Sequence, residues 1–333
     1  MKLRTLLPAL CALSLLLSGC GGSPPEDVDP ERFRVPPGAG VIVVADTLEA
    51  RGIVSNAFLF RMYARFRGQD RPVQAGVYEI PPGTAWSEIL DHLVEGRVLT
   101  QRINVPEGWT IMQIGERLAA ATNTPTDSVL ELLADSTLVE EWNVPGPTFE
   151  GYLYPATYTF PVGTEVEAIV RGMVDRYRAA WTPELRARAD SLGLSEREVV
   201  TLASIIEKEA RVWEERDTIS AVYNNRLRRG MRLQADPTVQ YALGEHQTRL
   251  LYQHIDDVAD NPYNTYTHAG LPPGPIASPS VGAIRAALNP ADVDYLFMVA
   301  RPDGTHIFTR NFDEHRAARA RLRREAQRQQ TDD

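Results

Sequence analysis

A glutamate near the end of a predicted helix, Glu209, has the surroundings expected of a proton donor. Ser195 and Glu198 have the spacing of a capping box, so a helix should run from about Glu196 to Ala210. At about 100° per residue, the apolar residues of this helix share one arc, apart from Val200. Glu209 falls inside that arc, so its carboxyl group should stand on an apolar surface.

A carboxyl group on an apolar surface has two interpretations. Burial disfavours its charged form and raises its pKa, so the group keeps a proton near neutral pH. A general acid that cleaves a glycosidic bond needs this property. Alternatively, the glutamate pairs with a buried arginine and only supports the fold, which helical geometry alone favours.

Asp236 is the nearest candidate for a second acid, and its setting indicates a structural role. Pro237 follows it directly, which is the pattern of an N-cap residue with proline at the first helical position. A glycoside hydrolase ordinarily uses two carboxyl groups. With Asp236 assigned to capping, Glu209 has no evident carboxylate partner.

A loop rich in proline and glycine, from Asn261 to Pro279, is dense in tyrosine, asparagine and threonine. Loops of this length without regular structure are usually functional or disordered. Flat aromatic faces beside amide and hydroxyl groups suit a sugar chain, so the loop is a candidate carbohydrate surface.

The N-terminus predicts export. Residues 1–20 form a signal segment in which Lys2 and Arg4 precede the apolar run Leu6 to Leu17. The segment ends in Leu-Ser-Gly-Cys, which resembles a bacterial lipobox with Cys20 as the lipid-attachment residue. An uncleaved signal anchor is the alternative, and both place the chain on a membrane. Residues 21–32 are a polar, proline-rich tether.

Composition excludes several classes of protein. The two cysteines, Cys11 and Cys20, both lie in the signal segment, so the mature body has no disulfide. A net charge of −9 argues against nucleic-acid binding. The six histidines lack metal-ligand spacing, so neither a metal site nor a cofactor is expected. A helix from about Glu314 to Gln329 should present a solvated basic face.

Four copies of an apolar-Pro-x-Gly pattern punctuate the chain, beginning at Val35, Ile80, Val105 and Phe160. The last three follow strand-like runs, and the second and third precede helical patterns, Trp86 to Val94 and Ile111 to Ala120. Proline ends the strand and glycine supplies the turn, so each copy is a strand–turn–helix unit. Two copies suggest small βαβ-type modules, which resemble the LysM-like domain of wall-binding proteins. A generic α+β domain that only positions the catalytic part is the alternative.

Five separated motifs resemble those of the YceG-like endolytic murein transglycosylases, in order from about Phe149 to His315. They are Ala203-Ser-Ile-Ile-Glu-Lys-Glu209, Asn225-Arg-Leu227, Arg232-Leu-Gln-x-Asp-Pro-Thr238, Tyr263-Asn-Thr-Tyr266 and Gly270-Leu-Pro-Pro-Gly-Pro-Ile276. The resemblance implies an α+β chain with an N-terminal LysM-like βαβ-type module and a mixed α/β catalytic domain, whose central helix carries the catalytic glutamate. The expected divisions are 33–125 for the LysM-like domain, 126–148 for a linking helical segment and 149–333 for the catalytic domain.

The activity implied by the resemblance is that of a lyase. Such an enzyme cleaves the bond between N-acetylmuramic acid and N-acetylglucosamine inside nascent peptidoglycan strands, leaves 1,6-anhydro ends and limits strand elongation. One glutamate used twice is sufficient, because the substrate's own hydroxyl replaces water. The implied setting is the inner membrane, with the catalytic domain in the periplasm and peptidoglycan synthases as candidate partners.

The resemblance also implies site residues. Glu209 matches the second glutamate of the family's Glu-x-Glu motif and is the expected catalytic residue. The expected substrate-binding or supporting residues are Asn225, Gln234, Asp236, Thr238, Tyr263, Asn264 and Tyr266. Relatives often have threonine or serine where this chain has Ala210, so the missing hydrogen bond is expected from Tyr263, Tyr266 or Gln234.

Two rival functions remain open at this point. The nearest is a muramidase-type hydrolase, which would leave reducing ends. The other is a non-catalytic wall-binding scaffold that uses its N-terminal units to recruit synthesis or division machinery.

Overall fold

A computed structural model describes residues 31–68, 73–245 and 247–332. The signal segment, Cys20, nearly all of the tether and His246 lie outside the described residues. The strands are β1 Glu31–Val35, β2 Gly76–Ile80, β3 Thr100–Asn104, β4 Thr157–Pro161, β5 Phe297–Ala300 and β6 His306–Thr309. The helices are α1 Val41–Ala50, α2 Ala57–Phe66, α3 Trp86–Glu95, α4 Ile111–Thr122, α5 Thr126–Ala134, α6 Ser136–Glu141, α7 Val166–Ala180, α8 Pro183–Leu192, α9 Glu196–Glu209, α10 Arg216–Arg228, α11 Asp236–Leu243, α12 Tyr252–Asp257, α13 Val281–Leu288 and α14 Phe312–Asp332.

The predicted α+β class is confirmed, because helices surround two-stranded sheets that pair β1 with β2, β3 with β4 and β5 with β6. The chain forms two compact units. Of the described residues, the first unit comprises those up to Gln101 together with Thr159–Thr164, and the second comprises Arg102–Tyr158 and those after Thr164. Helices α4 and α5 belong to the second unit, where they pack against each other.

The four apolar-Pro-x-Gly segments are the turns that the sequence predicts. A strand precedes each of them and a helix follows each. The glycines, Gly38, Gly83, Gly108 and Gly163, have φ between 73° and 84°. Side chains rarely tolerate this left-handed region, which explains why glycine recurs at the fourth position.

The prediction of βαβ-type modules is wrong for the first unit. β1 and β2 are antiparallel, with Phe33 opposite Tyr78, and both α1 and α2 lie between them in the chain. One crossover helix returns the chain to the end where the first strand began, and the next strand is then parallel. A second helix takes the chain back to the other end, which makes the pair antiparallel. The core of this unit is built around Phe60, Ile80, Leu90 and similar buried side chains.

Helix α9 is the central element of the second unit. It packs against α8, α10, α11 and α13, and its middle, from Val199 to Ile206, is buried throughout. Val200, which falls outside the predicted apolar arc, is therefore also buried, against Tyr152 and Tyr177. The sequence pattern identifies the main apolar face but not this second contact, because Thr201 and Ser204 interrupt it. In the described part of the chain, no helix is long and apolar enough to cross a membrane.

Candidate active site

The predicted capping box fixes the start of α9. The hydroxyl of Ser195 accepts a hydrogen bond from the backbone N–H of Glu198, and the Glu198 carboxylate accepts one from the backbone N–H of Ser195. The helix then runs for 14 residues and ends at Glu209, where Ala210 adopts extended backbone. The carboxyl end of a helix carries partial negative charge, which disfavours ionisation of a carboxyl group there.

The Glu209 carboxyl group has the environment of a proton donor. Burial raises its pKa from 4.5 to about 7, which exceeds the opposing effect of a hydrogen bond from Tyr223. The Tyr223 hydroxyl donates that bond to Oε1 over 2.8 Å. The negative charge of Asp236 raises the pKa further, while the Arg226 and Arg211 guanidinium groups lower it. This group therefore keeps a proton at pH values where an exposed glutamate has lost it.

Tyr223, which the sequence motifs do not single out, is the side chain that donates a hydrogen bond to Glu209. The hydrogen bond missing at Ala210 was expected from Tyr263, Tyr266 or Gln234, whereas the side chain that donates to Glu209 in the structure is Tyr223 of α10. Ile219 and Tyr223 are both fully buried and four residues apart, so they form the face of α10 that packs on α9. This spacing was the available signal, but it does not reveal which neighbouring residue the hydroxyl contacts.

The assignment of Asp236 as an N-cap is wrong. Ala235 occupies the N-cap position of α11, and Asp236 and Pro237 are already helical. The exposed Asp236 side chain accepts a hydrogen bond from the Tyr266 hydroxyl at 2.5 Å, and its charge acts on Glu209. The structure therefore brings Glu209, Tyr223, Asp236 and Tyr266 together, and it gives Glu209 a carboxylate neighbour.

The buried glutamate–arginine pair that was considered for Glu209 exists at Glu207. The Glu207 side chain is 7% exposed and accepts a hydrogen bond from Arg216 Nη2 at 2.8 Å. Its other oxygen accepts bonds from the backbone N–H and the hydroxyl of Ser280, at 3.0 and 2.6 Å. The two glutamates of the Glu-x-Glu motif thus have different environments, one in an ion pair and one without a directly bonded cation.

Three of the residues expected to bind substrate or to support the site face the protein interior. Asn225 donates from its amide to the carbonyls of Val293 and Tyr295. Thr238 shares a hydrogen bond with Thr265, and the amide of Asn264 donates to backbone carbonyls of the segment before it. These side chains hold the loops around the site in place, and their hydrogen-bonding groups are occupied by protein.

Tyr263 and Gln234 lie in different settings. The half-buried Tyr263 ring packs against Tyr241, with 4.8 Å between ring centroids. Gln234 is exposed and has a φ of 48°, which is unusual for a residue other than glycine. Its backbone N–H donates to the carbonyl of Thr265, so the strained turn before α11 is tied to the loop that contains Tyr266.

A second buried acid, Glu150, was not recognised from the sequence. It is 1% exposed, and burial raises its pKa to about 7 against opposing hydrogen bonds from the Ile111 backbone and the Tyr241 hydroxyl. The backbone N–H of Ile111 donates to both carboxyl oxygens at 3.0–3.1 Å. Glu150 therefore anchors the start of α4 and is closed to solvent. Among the described residues, no three histidine, cysteine or acidic side chains are grouped so that they could hold a metal ion.

Comparisons with known proteins give the family. Residues 33–321 match the model of the YceG-like family. The chain belongs to this family. The match includes the N-terminal half, which the five motifs do not reach. The YceG-like fold also agrees with a solved structure: a YceG-like protein from Listeria monocytogenes is 32% identical and superposes with a TM-score of 0.61, over 87% of this chain and 98% of that one.

Two curated relatives carry the name endolytic murein transglycosylase. The protein from Bacillus subtilis (strain 168) is 32% identical over 304 residues, which cover 86% of this chain and 83% of the relative. The protein from Streptococcus pneumoniae serotype 2 is 29% identical over 324 residues. This second match covers 87% of this chain but 58% of the relative, so the streptococcal protein is considerably longer.

Replacing Glu207 by glutamine should destabilise the second unit, because the Arg216 charge would lose its partner while remaining buried. Breaking a buried ion pair from one side costs about 3–5 kcal/mol. Glu209→Gln is a matched control, because it makes the same change two residues further along α9 at a group without an ion-pair partner. Chemical denaturation measures the free energy of unfolding of both variants. Equal unfolding midpoints for the two variants would contradict the structural role of Glu207.

The carboxyl carbon of Glu209 should titrate near pH 7, as followed by NMR of protein with ¹³C-labelled glutamate. Tyr223→Phe removes a hydrogen bond to the ionised form, so the pKa should rise. Asp236→Asn removes a neighbouring negative charge, so the pKa should fall. Glu209→Gln identifies the resonance by its loss. Shifts of the same sign in the two variants would show that the proposed influences on Glu209 are wrong.

Proposed function

We propose that this chain is a lytic transglycosylase of peptidoglycan in which Glu209 serves as both acid and base. The observation that carries the proposal is the Glu209 carboxyl group, which stands at the end of the central helix with a pKa of about 7. Family membership and the names of the relatives support a lyase that acts on glycan strands. The bond cleaved is that between N-acetylmuramic acid and N-acetylglucosamine within nascent strands.

In the first step, protonated Glu209 donates its proton to the glycosidic oxygen. The bond between this oxygen and C1 of the muramic acid then breaks with its electron pair, and positive charge develops at C1. The substrate's acetamido group stabilises this charge from within the sugar. Asp236 contributes in two ways, because its negative charge keeps Glu209 protonated before the step and lowers the energy of a nearby cation during it.

In the second step, the Glu209 carboxylate takes the proton of the sugar's C6 hydroxyl as that oxygen attacks C1. A 1,6-anhydro ring forms, and Glu209 regains the proton that it lost. No water is consumed, so no second carboxyl group has to act as a hydrolytic base. The Tyr223 hydroxyl stabilises the ionised form of Glu209 between the two steps through its bond to Oε1. Because the enzyme cuts within a growing glycan strand, the reaction limits the elongation of that strand.

Replacing Glu209 by glutamine should lower the rate of strand cleavage by at least about 100-fold, because general acid–base catalysis contributes that much or more. The measurement is digestion of purified glycan strands, with the ends identified by mass spectrometry. Wild-type products should end in 1,6-anhydro sugars, and co-sedimentation of the variant with peptidoglycan should match wild type. Glu131→Gln, at an exposed site on α5, is the matched control and should cleave normally.

The rival functions predict other results in the same assay. A muramidase-type hydrolase would produce reducing ends alone. A non-catalytic scaffold would bind peptidoglycan and release no product from wild type. Turnover by Glu209→Gln at the wild-type rate would refute the assignment of Glu209.

We also propose that β1, α1, α2 and β2 form the LysM-like module and hold the chain to the cell wall. A hydrophobic core of its own supports this, since Phe33, Phe60 and Tyr78 are almost completely buried within the first unit. The module would then keep the catalytic unit close to its polymeric substrate.

Anchoring to the inner membrane completes the proposal, with the catalytic unit in the periplasm beside the peptidoglycan synthases. The lipobox-like sequence ending at Cys20 supports it. Mass spectrometry of protein from the inner-membrane fraction should find a mature chain that begins at Cys20 and carries acyl chains. A chain that keeps residues 1–19 would show an uncleaved signal anchor instead.

A further inference from the structure

Helix α2 exposes a row of large apolar side chains. Phe66 is 90% exposed, and Phe58, Leu59 and Met62 are each more than half exposed. At about 100° per residue, these four fall within one arc of about 100° along the helix. We call them the α2 stripe. Isolated apolar residues on a surface are ordinary, but a contiguous row on one helix marks a surface that contacts something else.

The stripe is held rigidly outward. Phe60 and Ala64, on the opposite side of α2, are buried in the core of the first unit. Asn56 caps the helix, with its side-chain oxygen accepting a hydrogen bond from the backbone N–H of Leu59. Turning the stripe inward would therefore expose the core face, so the stripe is a fixed feature of the fold.

Positive charge borders the stripe. Arg65 and Arg67 are exposed on its two sides, and Arg67 lies over the Tyr63 ring at 5.9 Å. The sequence from Ala57 to Gly68 contains no acidic residue, although the whole chain has a net charge of −9. An apolar row between arginines is the pattern of a helix that lies in the headgroup region of a membrane, where arginines reach lipid phosphates.

The α2 stripe has aromatic rings but lacks the amide and hydroxyl groups that would suit a sugar chain. Phenylalanine, leucine and methionine side chains offer no hydrogen-bond donor and at most a weak sulfur acceptor, whereas each sugar of a glycan strand presents hydroxyl and acetamido groups. Binding a strand there would leave those groups unpaired, at a cost in free energy. Lipid acyl chains make no such demand.

The length of the chain before the first unit keeps α2 near a membrane. Between Cys20 and Glu31 the polypeptide can span at most about 36–40 Å. This step depends on the anchoring proposed above. A surface tethered at that distance meets the bilayer continually, so even a weak apolar and electrostatic attraction is effective.

We propose that α2 lies on the membrane surface, with the α2 stripe inserted among the lipid headgroups and the adjoining parts of the acyl chains. Arg65 and Arg67 then contact the phosphates of anionic lipids. The first unit then has a membrane-facing side in addition to any wall-binding side. The lipid class is an anionic phospholipid such as phosphatidylglycerol.

Photo-crosslinking of the full chain, reconstituted in phosphatidylglycerol-containing vesicles, tests the proposal. The photoreactive residue p-benzoylphenylalanine replaces Met62, and in a matched control it replaces Met112 on α4, since the two methionines are 53% and 52% exposed. Mass spectrometry should find lipid adducts on the peptide containing position 62 and not on that containing position 112. Arg65→Gln and Arg67→Gln should each lower the adduct yield about fivefold, since one arginine near an anionic surface contributes about 1 kcal/mol.

Several outcomes would overturn the proposal. These are no lipid adduct at position 62, equal adducts at both positions, or adducts there to a second copy of the chain or to another protein added with it. Flotation of the vesicles with the variant Met62→Glu/Phe66→Glu separates this inference from the anchoring. If the variant floats and position 62 gives no adduct, the anchor stands and the inference fails. If wild type floats and the variant does not, α2 is the attachment and the anchor proposal fails.

Discussion

The ion pair between Glu207 and Arg216 is the constraint on which the geometry of the site depends. One Glu207 oxygen accepts from the guanidinium group of Arg216, and the other accepts from the backbone and hydroxyl of Ser280. Arg216 begins α10 and Ser280 caps α13. A single carboxylate thus joins the end of α9 to the starts of two neighbouring helices. Because Glu209 follows two residues later, its position relative to Tyr223 on α10 is fixed by the same contact.

The two glutamates at the end of α9 have very different environments. Glu207 is almost fully buried, yet its charge is matched by a cation and two hydrogen-bond donors. Glu209 has one neutral donor, a neighbouring negative charge and the negative end of the helix dipole. The first arrangement pairs the carboxylate with a cation, and the second raises the pKa of Glu209 to about 7. An acid that must later act as a base needs a pKa near neutral pH.

Local patterns in the sequence predicted helix starts and turns well, but they could not predict contacts between residues far apart in the chain. The capping box at Ser195 gave the start of α9, and the four Pro-x-Gly turns marked where strands give way to helices. Tyr223 and Asp236 are 14 and 27 positions from Glu209 in the chain, so no local period links them to it. The antiparallel pairing of β1 with β2 was missed for a related reason. It depends on how many helices lie between the two strands, which the Pro-x-Gly turns alone do not show.

Glu150 and Glu209 together have a consequence for the folded state as a whole. Both have a pKa of about 7 in the fold, compared with 4.5 for an unburied glutamate. Between these values the folded chain binds more protons than the unfolded chain, so these two groups favour folding most in acid. Their contribution is fully present below about pH 4.5 and is lost as the pH rises through 7. Keeping these two carboxyl groups buried therefore lowers the free energy of unfolding at neutral pH, and one of the two is the proposed catalytic acid.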